Sequence, residues 1–227
     1  MGTDPDEATG VALVMVESTG LNRIVVIAGA NGKVSLDDAQ LVACLRGAQY
    51  LVMQLEVPMA QVLQAAQVAR RLGCKVVLNP SPAQALPDTL WALVDVMVVN
   101  ETEAHFLTGL PPDTTPQIAA EVGRQLCAKG VSQVVVTLGA LGAVATDRDG
   151  STYHPAPQVH VVDTTAAGDT FLGVVAVALA RGQGLAASVD LGIRASTLCV
   201  QTLGAQPSIP TLAQTLQNSS IPSWVVL

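Results

Sequence analysis

The stretch 134–138, Val-Val-Val-Thr-Leu, is apolar on both of the faces a β-strand would present. Side chains alternate across a strand, so such a run is stable only where both faces are covered, as in a parallel sheet packed between helices. Runs at 50–54, 75–78 and 94–99 read as further strands of that sheet. Helices are expected between and around them, at 36–46, 59–72, a short one near 86–93, 101–107 and 116–129. Residues 143–146 and 159–162 read as strands around a turn at 147–150, and helices at 170–181 and 185–203 end the core. Near the N-terminus, β-rich runs at 11–16 and 23–28 are joined by Glu17-Ser18-Thr19-Gly20, the pattern of a hairpin. Strands alternating with helices predict an α/β fold, a three-layer α/β/α sandwich around a mostly parallel sheet. Ligands of such sheets collect beyond the carboxyl ends of the strands.

A chain of 227 residues, half of them hydrophobic, suffices for one domain with a sizeable core. Aromatics are only 3%, so that core must be built of Val, Leu, Ala and Ile. The formal charge of −7 argues against nucleic acid or an anionic membrane as a partner. The three lysines (Lys33, Lys75 and Lys129) lie in no phosphate-loop motif, and no serine-nucleophile elbow or His-Glu-x-x-His pattern is present. His105, His154 and His160 lack metal-ligand spacing and read as surface or strand residues. Cys44, Cys74, Cys127 and Cys199 form no Cys-x-x-Cys pair and read as buried thiols of a reducing compartment. The acidic start lacks a signal core, and no apolar run is long enough to span a bilayer. The expectation is a soluble, cytoplasmic protein.

Residues 163–171, Asp-Thr-Thr-Ala-Ala-Gly-Asp-Thr-Phe, carry the most chemistry. They set a small-residue turn and a carboxylate at the start of an apolar helix. The first N–H groups of a helix have no partner within it, and the helix dipole adds positive potential there. Ala166, Ala167 and Gly168 would let an anion approach closely. Asp169 then stands where a bound hydroxyl would meet a phosphate, as a base in phosphoryl transfer does. The same residues also make an ordinary helix cap after a glycine turn. Spacing alone leaves the two readings level.

This nonapeptide resembles the signature of the ribokinase-like (PfkB) carbohydrate kinases. Thr9-Gly10-Val11-Ala12-Leu13, Asn79-Pro80, Asn100-Glu101-Thr102-Glu103, Thr137-Leu138-Gly139 and Gly204-Ala205-Gln206-Pro207-Ser208 follow that family's order, so the resemblance covers roughly 9–210. It implies an anion hole at Ala166, Ala167 and Gly168, with Asp169 as catalytic base and sugar contact. It assigns Asn100, Thr137, Gly139 and Gly142 to the nucleotide, and Glu103 to Mg²⁺ through water. Asn100 and Glu103 also fit a helix capping box, and both roles are compatible. The glycines of 137–142 equally suit a β-turn. The resemblance assigns Glu56 to a sugar hydroxyl, although a solvated loop carboxylate reads as well there. It assigns Asp163, Thr165, Gly204 and Ser208 to K⁺.

The resemblance thus implies an ATP- and Mg²⁺-dependent, K⁺-activated kinase for a small sugar, with ribose as the expected acceptor. Residues 9–30 would form a partial β-lid offering a homodimer contact, 31–210 the nucleotide-binding core and 211–227 a tail. Family members carry a first strand and a Gly-Gly-rich helix start ahead of the Thr-Gly-Val-Ala-Leu stretch. Here only residues 1–8 stand there, so a truncated sugar site is expected. Two alternatives stay open: a catalytically weak nucleotide-binding remnant or partner protein, and a kinase for another small alcohol.

Overall fold

The computed structural model describes residues 2–16, 22–112, 115–217 and 224–227. Its main sheet has seven strands in sequential order, β3 to β9. These are β3 (Tyr50–Met53), β4 (Lys75–Leu78), β5 (Val96–Val99), β6 (Gln133–Thr137), β7 (Gly142–Asp147), β8 (Gly150–Pro155) and β9 (Val225–Val226). The first four are mutually parallel, β6–β7–β8–β9 antiparallel. The carboxyl ends of β3 to β6 therefore share one edge. Two antiparallel steps make β8 run parallel to β6, so it returns the chain to that same edge.

Strand alternation sorts the core into two halves. Leu78, Met97, Val99, Val134, Val136 and Val144 face one cluster, which α2 (Met59–Arg71) and α5 (Pro116–Ala128) cover. Val77, Val96, Val98, Val135, Ala143 and Ala145 face the other, covered by α6 (Ala167–Ala180) and α7 (Leu185–Cys199). Each fully buried Val or Leu contributes on the order of 1.5–3 kcal/mol from removal of its surface from water. This is the expected three-layer sandwich, with the aliphatic core that the scarcity of aromatics required.

The helices show why they sit where they do. In α2 the buried Val62, Ala65, Ala66 and Ala69 repeat at helical spacing, while Arg70 and Arg71 occupy the last turn, where the dipole favours cations. The side chain of Thr115 accepts from Ile118 N–H, and Pro116 stands at the first helical position of α5. Helices α6 and α7 approach closely because Gly192 has no side chain. A Cβ there would lie 2.9 Å from both the Phe171 ring and Val175 Cγ2.

Several boundaries differ from the sequence reading. The partner of β7 is β8 (Gly150–Pro155), and 159–162 is not a strand. Strand β8 is already paired by β7 and β9, so a ladder has no free edge for the Val-His-Val-Val run. Val162 N–H bonds Val200 O instead, and Val161 and Val162 are half exposed. Helix α6 begins at Ala167 rather than 170, because Ala-Gly-Asp continues the helix backwards, and α7 ends at Cys199 rather than 203. The short α3 spans Asp88–Trp91, and β5 starts at Val96. Of the cysteines, only Cys74 and Cys199 are buried; Cys44 is exposed and Cys127 intermediate.

Strands β1 (Val11–Val16) and β2 (Asn22–Ile27) form a separate two-stranded sheet. The expected hairpin turn at 17–20 lies outside the described residues. Val11 pairs with Ile27 and Leu13 with Val25, and all four are about half exposed. An apolar face is thus presented to the surroundings.

Among the described residues no helix is long and apolar enough to cross a membrane.

Candidate active site

Ala166 is the one non-glycine residue with positive φ among those described, at 61°, and it is the N-cap of α6. A left-handed alanine costs roughly 1 kcal/mol or more, so the surrounding fold must impose it. It makes no side-chain cap. The amides of the first turn therefore lack the usual local acceptor. Ala167 N–H donates to Thr164 O, and Thr170 N–H to Ala166 O. The amides between them, of Gly168 and Asp169, have no acceptor among the described residues. Both residues are exposed, and nothing lies within 4 Å of where a Cβ on Gly168 would stand. The result is a pair of open donors at the positive end of a 14-residue helix.

The carboxylate of Asp169 belongs to the same residue as one of those donors. Carboxylate and open amide are thereby held within one residue of each other. Asp169 also lines a largely apolar groove of about 470 Å³ that follows α6 past Gly173 and Val177 to Arg181.

Two loops brace this helix start. Asp163 Oδ1 accepts from Thr165 N–H and Oδ2 from Gly204 N–H, each at 2.9 Å. These bonds, chiefly those to Thr165 and then to Gly204, hold the Asp163 carboxyl below its ordinary value. The sequence-assigned Asp163, Thr165 and Gly204 are thus joined directly. Ser208 reaches the same cluster through Cys199, whose Sγ lies 3.0 Å from Ser208 Oγ and 3.7 Å from Thr165 O.

A second group forms where β4, β5 and β6 end. Asn100 caps α4 (Glu101–Thr108): its side chain accepts from Glu103 N–H, and its own N–H donates to Glu103 Oε2, completing the capping box. Glu103, only 4% exposed, also accepts from Asn100 Nδ2 and Asn79 Nδ2. Asn79 Nδ2 ties in Val98 O as well, and Thr137 Oγ1 donates to Val99 O. Three strand ends are therefore stitched around one carboxylate. Beside it the turn Gly139–Leu141 leads into Gly142, whose φ of 109° and contact with β8 exclude a side chain. A Cβ on Gly142 would stand 2.0 Å from His154 O.

The sequence reading passed over Glu101. Its Oε1 is 3.9 Å from where a Cβ on Gly139 would be, so it borders that turn. Burial, and then the charge of Glu103, raise its carboxyl above the ordinary range. Its place at the first position of a capped helix was the available signal. Glu56, past the end of β3, is exposed, its N–H bonded to Gln54 Oε1. Among the described residues no cluster of three or more His, Cys, Asp or Glu side chains is arranged to chelate a metal.

Residues 1–212 match the pfkB family carbohydrate kinase profile. The chain is 39% identical over 211 residues to a ribokinase of Staphylococcus aureus, covering 92% of this chain and 69% of that one. It is 39% identical over 218 residues to a ribokinase of Haemophilus influenzae, covering 96% and 71%. Among solved structures, Arabidopsis thaliana ribokinase complexed with ribose and ATP superposes with a TM-score of 0.83 at 33% identity, covering 94% of this chain and 70% of that one.

The Asp163 bonds have a pH signature. A carboxyl held lower in the folded state contributes stability above its unfolded value, and that contribution fades as pH falls through the lower folded value. The urea midpoint of the wild type should therefore exceed that of Asp163→Ala at neutral pH, and the gap should close below about pH 3.9, the ordinary aspartate value. A gap independent of pH down to acid unfolding would contradict the assignment.

Proposed function

The chain belongs to the pfkB family of carbohydrate kinases, and we propose that it transfers the terminal phosphoryl group of ATP to the 5-hydroxyl of D-ribose. The observation that carries this reading is the pair of open amides at Gly168 and Asp169 with the Asp169 carboxylate attached to the second. Ribose and ATP, the ligands of the Arabidopsis structure, are the substrates this arrangement suits.

Phosphoryl transfer asks mainly for positioning and for charge stabilisation. The Gly168 and Asp169 amides would hold the transferring group, with Ala166 and Ala167 keeping the turn small enough for approach. The Asp169 carboxylate would take the proton from the sugar hydroxyl. The nucleotide would lie along the strand ends, against Thr137, Gly139 and Gly142, with Asn100 at the α4 start. Glu56 would meet the sugar from the end of β3.

Magnesium fits in a limited way. A carboxylate has about four acceptor positions, and Glu103 uses three for N–H donors, leaving one for a metal-bound water. The phosphates themselves would supply most of the ion's ligands, as is usual for Mg²⁺ with nucleotides. When bound, the ion neutralises phosphate charge. Potassium would be held by backbone carbonyl oxygens of the two loops, 163–165 and 204–208, that Asp163 ties together. The Asp163 carboxylate, engaged by two amides, would act there by holding the loops.

We also assign a dimer contact to the apolar face of the β1–β2 hairpin, where Val11, Leu13, Val25 and Ile27 stand half exposed. Sedimentation should give a dimer for the wild type and a monomer for Leu13→Lys; identical masses would remove the hairpin from the contact.

The activity itself is read by ADP formation with ATP, Mg²⁺ and K⁺, with and without D-ribose. Ribose should stimulate it, and Asp169→Asn should lower the stimulated rate by at least about a hundredfold, the low end for a positioned general base. A rate unaffected by the substitution would take Asp169 out of the mechanism.

A further inference from the structure

Behind the first turn of α6, three side chains from separate segments meet out of contact with water. They are Thr170, Cys199 at the last position of α7, and Ser208, with exposures of 4%, 0% and 4%. Thr170 Oγ1 donates to Cys199 Sγ at 3.5 Å, and Ser208 Oγ donates to Ala205 O at 2.6 Å. Ser208 has one hydroxyl proton, and it goes to Ala205. The 3.0 Å contact between Cys199 and Ser208 must then be made by the thiol proton, with Ser208 Oγ accepting. The alternative acceptor for that proton, Thr165 O, is farther away at 3.7 Å. The protons therefore line up in one direction: Thr170 hydroxyl to Cys199 sulfur, Cys199 thiol to Ser208 oxygen, Ser208 hydroxyl to the Ala205 carbonyl.

We propose that this chain makes Cys199 a positioning residue, which fixes the Asp169 end of α6 relative to the 204–208 loop. A side chain that accepts and donates at once is required at this place in a dry cluster. Alanine would leave the Thr170 hydroxyl buried without its acceptor, and an unmet buried polar group costs more than the bond it replaces. Thr170 follows Asp169 directly, and its own N–H closes the first turn onto Ala166 O at 2.9 Å. Any shift of Thr170 is thus passed to the carboxylate and to the two open amides. Serine keeps one donor and one acceptor, so it should preserve the relay, while alanine should break it.

The activity readout rests on the kinase reading, so the test pairs it with one that does not. Hydrogen exchange of the Thr170 amide should accelerate by about tenfold in Cys199→Ala, the equilibrium weight of roughly one hydrogen bond, and stay near wild type in Cys199→Ser. With ATP and D-ribose, kcat should fall by about the same factor in Cys199→Ala while KM for ATP stays within about twofold, and Cys199→Ser should recover the rate. Unchanged exchange in Cys199→Ala, or equal damage in alanine and serine variants, would overturn the proposal. Should Cys199→Ala fail to fold, Thr170→Val removes the first donor alone, and a wild-type protection factor for the backbone amide at position 170 in that variant would overturn it equally. A wild type without ribose-dependent turnover would reject the kinase reading and leave the exchange result to decide the role of Cys199.

Discussion

The first amides of a helix have no carbonyl behind them, and what a protein does with those of α6 governs the rest of this structure. Local solutions are available elsewhere in the chain: Asp37, Asn100 and Thr115 each turn a side-chain oxygen onto the helix they precede. At α6 an alanine stands in that position, with φ at 61°, and two amides stay open. Exposed as they are, these amides can be met by water or by an anion, and no side chain of the cap competes for them. Backbone strain and missing cap point the same way, toward a phosphate delivered by a ligand.

The sheet supplies the setting. Four parallel strands bring Glu56, Asn79, Asn100 and Thr137 to one edge, and the β7–β8 pair returns the chain to that edge before the loop into α6. An acidic protein with net charge −7 cannot attract a triphosphate by broad surface potential. Binding must come from local dipoles: helix starts and loop amides. The bracing of loops 163–165 and 204–208 by Asp163 serves this end, since oriented dipoles stabilise charge only if they are held still.

Much of this was legible in the residues. The double-faced apolar run at 134–138 and its neighbours gave the parallel sheet, since burial on both faces leaves few alternatives. The motif at 163–171 pointed to the helix start where the two open amides lie. Its extent was misjudged because Ala-Ala-Gly has no side-chain periodicity to mark a helix, so α6 was expected three residues late. Residues 159–162 have strand propensity, yet β8 already carried two partners, a fact of topology that no local run contains. Asn100 and Glu103 fitted both cap and site, and the geometry of Glu103 permits both. The tie from Thr170 through Cys199 to Ser208 was out of reach, as it joins positions 29 and 9 residues apart through side-chain proton directions.

The most direct measurement is a two-dimensional NMR titration of the ¹⁵N-labelled protein with an ATP analogue whose β–γ bridge cannot be hydrolysed. The account predicts that the Gly168 and Asp169 amides move together and saturably, as hydrogen bonds form to the terminal phosphate. Movement confined to residues near Thr137 and Gly139, with Gly168 and Asp169 unmoved at saturation, would contradict it.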